Sequence, residues 1–119
     1  VDSSEYDQFD STDQKYLEEI VNLIEFWLFM QTISITVSGK VQGVFYRQST
    51  KEKATALGIT GSVKNLKDGN VFIVATGTKE QLAELVAWCR QGPPKAKVAD
   101  VVTMDMALQY FDEFSILRF

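Results

Sequence analysis

The chain contains no histidine. That absence removes the commonest general base, the serine–histidine and cysteine–histidine nucleophile pairs, and the commonest zinc ligand. Few hydrolytic mechanisms survive it. Only one cysteine is present, Cys89, so no disulfide can form within the chain, which fits a reducing, cytoplasmic setting. No long hydrophobic run occurs either. The most apolar stretch, Ile20 to Met30, is interrupted by Asn22 and Glu25 and is too short to span a membrane. The acidic start does not read as a signal peptide, which requires a basic leading region.

What is present suits one domain: 119 residues, 45% of them hydrophobic, enough for a single core. The formal charge of −4 is unevenly distributed. Residues 1–29 carry eight acids against one base (−7), whereas residues 30–119 carry eight acids against eleven bases (+3). The larger part is basic enough to favour a small anionic ligand and not basic enough to argue for nucleic acid. A boundary therefore falls between an acidic extension, 1–29, and a domain, 30–119. Residues 1–10 read as disordered. Ser11 and Gln14 stand as a capping pair before apolar residues at helical spacing from Tyr16 to Leu28. This amphipathic segment reads as a packing helix or a self-association helix spanning residues 11–29, and its acidic polar face argues against anionic lipid. Met30 also stands where a compact domain would begin, so residues 1–29 have a second reading as a segment foreign to the fold.

From Met30 the pattern is regular. Ile33, Ile35 and Val37 alternate with Thr32, Ser34, Thr36 and Ser38, which predicts a half-buried strand. A helix is expected from Arg47 to Leu57, stopped by Gly58. Strands are expected at Ile59–Leu66 and Val71–Thr76, joined by an Asp68–Gly69 hairpin turn. A second helix, Lys79 to Arg90, ends at Gly92-Pro93-Pro94. Final strands are expected at Val98–Met106 and Phe114–Phe119. This β-α-β-β-α-β order with an extra strand is the ferredoxin-like, split β-α-β arrangement. It predicts an α+β sandwich in which two helices cover one face of an antiparallel sheet of four to five strands.

Two stretches stand out. Gly39-Lys40-Val41-Gln42-Gly43-Val44-Phe45-Tyr46-Arg47 joins the first strand to the first helix. A loop there can turn several backbone N–H groups inward and ends on a fixed positive charge, a combination suited to a phosphate-sized anion. Gly61-Ser62-Val63-Lys64-Asn65 sets a single polar amide on a buried-type strand that can reach the same end of the sheet. Taken singly, each has a plainer reading: a tight turn for the glycines, a solvated helix position for Arg47, a strand end for Asn65. Cys89, Trp88 and Phe72 read as packing residues. Lys40, Lys64, Lys67, Glu80 and Glu84 read as solvent-facing.

These two stretches, with Gly92-Pro93-Pro94-Lys95-Ala96-Lys97-Val98, resemble the acylphosphatase family over nearly all of residues 30–119. The resemblance implies the fold just read and hydrolysis of acyl phosphates to a carboxylate and inorganic phosphate, with no metal and no cofactor. It implies that Arg47 binds the substrate phosphate and that Asn65 positions the attacking water. It also implies that backbone N–H groups of Gln42, Gly43, Val44, Phe45 and Tyr46 cradle the phosphoryl oxygens. The expected partners are thus an acyl phosphate and inorganic phosphate, with neither nucleic acid nor membrane. The alternative is a non-catalytic module of the same fold that binds phosphate or carbamoyl phosphate. Ser62 stands where many relatives have a large aromatic residue. The ending Phe114-Ser115-Ile116-Leu117-Arg118-Phe119 is one residue longer than the usual last strand, and the extension has no counterpart.

Overall fold

The computed structural model describes residues 29–118. The expected N-terminal helix, the stretch 1–10 and the last residue of the expected final strand lie outside them. The elements are β1 (Met30–Lys40), α1 (Tyr46–Leu57), β2 (Thr60–Asn65), β3 (Val71–Thr78), α2 (Lys79–Gln91), β4 (Lys97–Met106) and β5 (Phe114–Leu117). The sheet order is β4-β1-β3-β2-β5. The order of elements is the one anticipated, and β1 and β3 are neighbours as the split layout requires.

Period-2 alternation builds the core. Ile35 and Val37 of β1, Val63 of β2, Val71, Ile73 and Ala75 of β3, and Phe114 of β5 all point to one face and are buried. Ala54 of α1 and Leu82, Leu85 and Cys89 of α2 close over them. Helix α1 lies on β2 and β5, while α2 lies on β4, β3 and β1. Among the described residues no helix is long and apolar enough to cross a membrane.

Two features differ from the simple reading. The opposite face of the sheet is partly covered, so the polar members of the β1 alternation are not all outside: Thr32 and Ser34 are buried. The segment between β4 and β5 crosses there and is pinned by a closed ring of hydrogen bonds. The Gln109 N–H donates to Thr32 Oγ1 at 2.9 Å, and Thr76 Oγ1 donates to the Gln109 carbonyl at 2.9 Å. The two hydroxyls lie 2.7 Å apart. Since the Thr76 proton is committed to Gln109, the Thr32 hydroxyl must donate to Thr76.

The second difference is direction. The sheet is antiparallel except for β5, which runs parallel to β2, with Gly61 opposite Phe114 and Lys64 opposite Leu117. The crossing segment leaves β4 at the end where β1 begins, so β5 must run back along the sheet in the sense of β1 and β2. Its last residues consequently finish at the end where the β1–α1 loop lies.

Candidate active site

That loop gathers the residues singled out by sequence. Val41 and Val44 are buried and anchor it, while Gly43 takes a positive φ of 74°, a conformation open to glycine. Phe45 also adopts the left-handed region (φ 60°, ψ 25°), which is costly for a residue with a Cβ, and its ring is 77% exposed. The strain turns the chain into α1 without a side-chain cap and with no acidic residue in the first turn. The orphan N–H groups of a helix start and its partial positive charge are therefore not met by a side chain of the helix's own N-terminus.

The next residue holds this geometry in place. The Tyr46 ring is buried, and its hydroxyl donates to the Cys89 carbonyl at 2.7 Å. The ring packs at a tilt against Trp88, with centroids 5.5 Å apart. Gly92 permits the close approach, because a Cβ there would meet the Tyr46 ring at 2.9 Å. Burial pushes the Tyr46 phenol far above its ordinary range, with the Cys89 thiol adding to the shift. The Cys89 thiol is itself pushed up to about 12, chiefly by burial. Neither group is an acid or base near neutrality. Cys89 is the small core residue its helical position suggested.

Gln42 ties the loop to the β2–β3 hairpin. Both protons of its Nε2 are used, one toward the Leu66 carbonyl at 2.8 Å and one toward the Asn70 carbonyl at 2.9 Å. Those two residues flank the turn, where the Leu66 N–H also donates to the Asn70 carbonyl at 2.8 Å. The hairpin end, and Asn65 at the close of β2, is thus fixed relative to the loop. Asn65 Oδ1 is buried and has no hydrogen-bond partner among the described residues. An unpaired buried amide oxygen costs about 1–3 kcal/mol and calls for an explanation.

One cavity of about 380 Å³ brings these groups together. Gly43, Phe45, Tyr46, Arg47 and Gln48 line it from the loop and α1, and Asn65 lines it from β2. Ile116 and Arg118 line it from the end of β5. Among the described residues two arginines and no carboxylate side chain line this space, an arrangement suited to an anion. Of the five residues expected to offer backbone N–H groups, Gly43, Phe45 and Tyr46 line the cavity. Val44 is buried in the core and Gln42 ties the loop to the hairpin, and neither lines the cavity. Sequence reasoning missed Arg118. The signal was its parity: Phe114, Ile116 and Arg118 alternate onto one face, and parallel pairing with β2 brings that face to Asn65.

Fold and site together define an α+β sandwich with an arginine-lined cavity at the loop after its first strand. A family model described as acylphosphatase matches residues 33–116. The acylphosphatase of Methylococcus capsulatus is 48% identical over 90 residues, covering 75% of this chain and 98% of that protein. The solved acylphosphatase from Coxiella burnetii superposes with a TM-score of 0.74 at 40% identity, covering 76% of this chain and 95% of its own. That from Bacillus subtilis gives 0.71 at 34% identity, covering 74% and 98%. The chain belongs to the acylphosphatase family.

Proposed function

We propose that this protein hydrolyses the carboxyl–phosphate anhydride of acyl phosphates by in-line attack of a water held by Asn65, with Arg47 and loop N–H groups stabilising the phosphoryl group. The observation that carries the reading is the buried, unpartnered Asn65 Oδ1 in the same cavity as Arg47. An amide oxygen there can accept a hydrogen bond from water and set its line of approach.

The chemistry explains how a chain without histidine can work. Cleavage of the P–O bond expels a carboxylate whose conjugate acid has a pKa of roughly 4, so the leaving group needs no general acid. Phosphoryl transfer through a loose transition state asks little of a base. What remains is positioning and charge stabilisation. The Arg47 guanidinium offers a fork to two peripheral oxygens. The uncapped start of α1 and the N–H groups from Gln42 to Tyr46 serve the third. Water adds to phosphorus, the carboxylate departs with the bonding pair, and one water proton passes to a phosphate oxygen. The products are a carboxylate and dihydrogen phosphate. The activity resides in residues 30–119 and uses neither metal nor cofactor. Residues 1–29 are the acidic extension, within which residues 11–29 serve self-association, and the lone thiol fits a cytoplasmic setting.

The test is phosphate release from benzoyl phosphate with chelator present. Wild-type enzyme is expected to turn over undiminished. Asn65→Ala is expected to lose on the order of 10²-fold in kcat, the scale of a misplaced nucleophile, with inhibition by inorganic phosphate retained. Phosphate binding without turnover in the wild type would favour the non-catalytic module. A strict metal requirement would overturn the mechanism.

A further inference from the structure

A second concavity shares no residue with the cavity at Arg47. It is a groove of about 360 Å³ beside α2, where that helix lies over β1 and the edge strand β4. Ile33, Leu82 and Val86 give it an apolar floor, and the short side chains of Ala83 and Ala87 leave the path open. Lys79 and Arg90 line it from the first and last turns of α2. No carboxylate side chain among the described residues lines it, since Glu80, Glu84 and Asp105 all fall outside the lining. An apolar floor between two cations suits an amphipathic helix with an acidic flank. From Lys79 to Arg90 the helix rises about 16 Å.

The chain carries a segment of that chemistry. Within residues 11–28, Leu17, Ile20, Val21, Ile24, Trp27 and Leu28 fall on one stripe at helical spacing, and Glu18 and Glu25 fall together on its flank. As a helix, Tyr16 to Leu28 would rise about 18 Å, close to the length of the groove. The extension is acidic and the domain basic, so charge favours contact between them. Its own groove is badly placed for this segment. Phe29 is helical and Met30 is already the first residue of β1, whereas a connection that turns a helix back onto a sheet takes about 2–6 residues. Phe29 is also 65% exposed, so the chain enters β1 without folding onto the domain there.

We propose that the groove receives residues 11–28 of a second copy of the chain, each copy giving its segment to the other in a two-fold dimer. The apolar stripe lies on Ile33, Leu82 and Val86, while Glu18 and Glu25 meet Lys79 and Arg90. This inference rests on the self-association reading of residues 11–29 given above and is independent of the hydrolytic one.

The experiment is sedimentation equilibrium of the full chain at low ionic strength, with two charge-reversed variants. Lys79→Glu/Arg90→Glu makes the groove acidic, and Glu18→Lys/Glu25→Lys makes the flank of the segment basic. The wild type is expected to be a dimer whose dissociation constant rises with salt. Each variant alone sets like charges together in both seats and should dissociate about tenfold more readily. An equimolar mixture of the two should regain the wild-type affinity, because both seats of the mixed dimer then pair opposite charges. Lys79 and Arg90 are exposed, so urea midpoints near that of the wild type are expected to show both variants folded. Should the groove variant unfold, Ala87→Glu, a single exposed change in the path, takes its place and should weaken the dimer likewise. Dimers unaffected by the groove changes, or no gain on mixing, would overturn the proposal. So would a dimer weakened only by Met104→Glu, which would place the contact on the other face of the sheet, where Val102 and Met104 are exposed. A wild type monomeric at every concentration would instead overturn the self-association reading, and this inference with it.

Discussion

The two helices begin in opposite ways. Helix α2 starts at Thr78, whose Oγ1 accepts from the Gln81 N–H at 3.2 Å, while Gln81 Oε1 accepts from the Thr78 N–H at 2.8 Å. Glu80 adds an acid to its first turn and Arg90 a base to its last. A capping box and a first-turn acid thus stabilise this helix start from within. Helix α1 has none of them. It follows a strained Phe45, lacks a side-chain cap and carries no acid in its first turn. A cap is worth about 1 kcal/mol, and under the proposed function the substrate's phosphate takes its place at the start of α1. The omission coincides with Arg47 and the cavity, and the capped start does not.

The comparison breaks most severely at Arg47. Arg47→Ala is expected to lower kcat/KM for benzoyl phosphate a hundredfold or more, since loss of such a donor costs about 3 kcal/mol. Arg47→Lys should remain far below wild type, because a point charge does not replace the fork. Near-normal rates in either variant would detach the uncapped helix start from function.

Alkali tests the link between the helices, the Tyr46–Cys89 contact. Both groups have folded-state pKa values raised above their ordinary ones, Cys89 from 9.0 to about 12 and Tyr46 upward from 10.0. Above the ordinary values the unfolded chain releases protons that the folded chain retains. Their contribution to stability is therefore intact below about pH 9 and declines as pH rises toward the folded values. Urea midpoints should stay level to about pH 8.5 and then fall. A flat profile to pH 11 would contradict the burial of both groups.

Thr78→Ala sharpens the contrast from the other side. It should cost about 1 kcal/mol of stability, read from the urea midpoint, with hydrolysis unchanged. The smallest effect is expected from Gln48→Glu, which gives α1 the first-turn acid that α2 has. The gain against the helix charge, about 0.3–1 kcal/mol, is offset by repulsion from Glu52 one turn on, about 0.2–0.5 kcal/mol. The midpoint should barely move, while inhibition by inorganic phosphate weakens severalfold. Undiminished inhibition would mean that the start of α1 does not meet the anion.

Much of this was legible in the chain. Alternation at Ile33–Val37, the Asp68–Gly69 turn and the helical spacing of Leu82, Leu85 and Cys89 specify local periods, and local periods are what sequence encodes most directly. The loop and Asn65 were legible because glycines, a terminal arginine and a lone amide on an apolar strand are chemically conspicuous. Arg118 was not, since alternation reveals which face a residue takes but not whether its strand runs parallel or antiparallel to its neighbour. An antiparallel β5 would have carried Arg118 to the far end of the sheet. Nor could the burial of Thr32 and Thr76 be read, because their cover comes from Gln109, remote in sequence. The side-chain task of Gln42 stayed hidden for the same reason: its partners, Leu66 and Asn70, meet it only after the hairpin has folded.

The ring of hydrogen bonds through Gln109 bears on the order of assembly. Strand β5 joins residues far apart in the chain, Gly61 and Phe114, at a sheet edge where β2 is its one neighbour among the described residues. Closing so long a loop for so short a strand is entropically unfavourable, and such pairings form late in folding. Pinning Gln109 beneath β1 and β3 shortens the search, because only the few residues from Tyr110 onward remain to be placed. In refolding, the Arg47 loop is expected to be in place before Arg118 arrives. A chain caught before that last step would hold the Arg47 loop while the cavity wall that Ile116 and Arg118 supply was still missing.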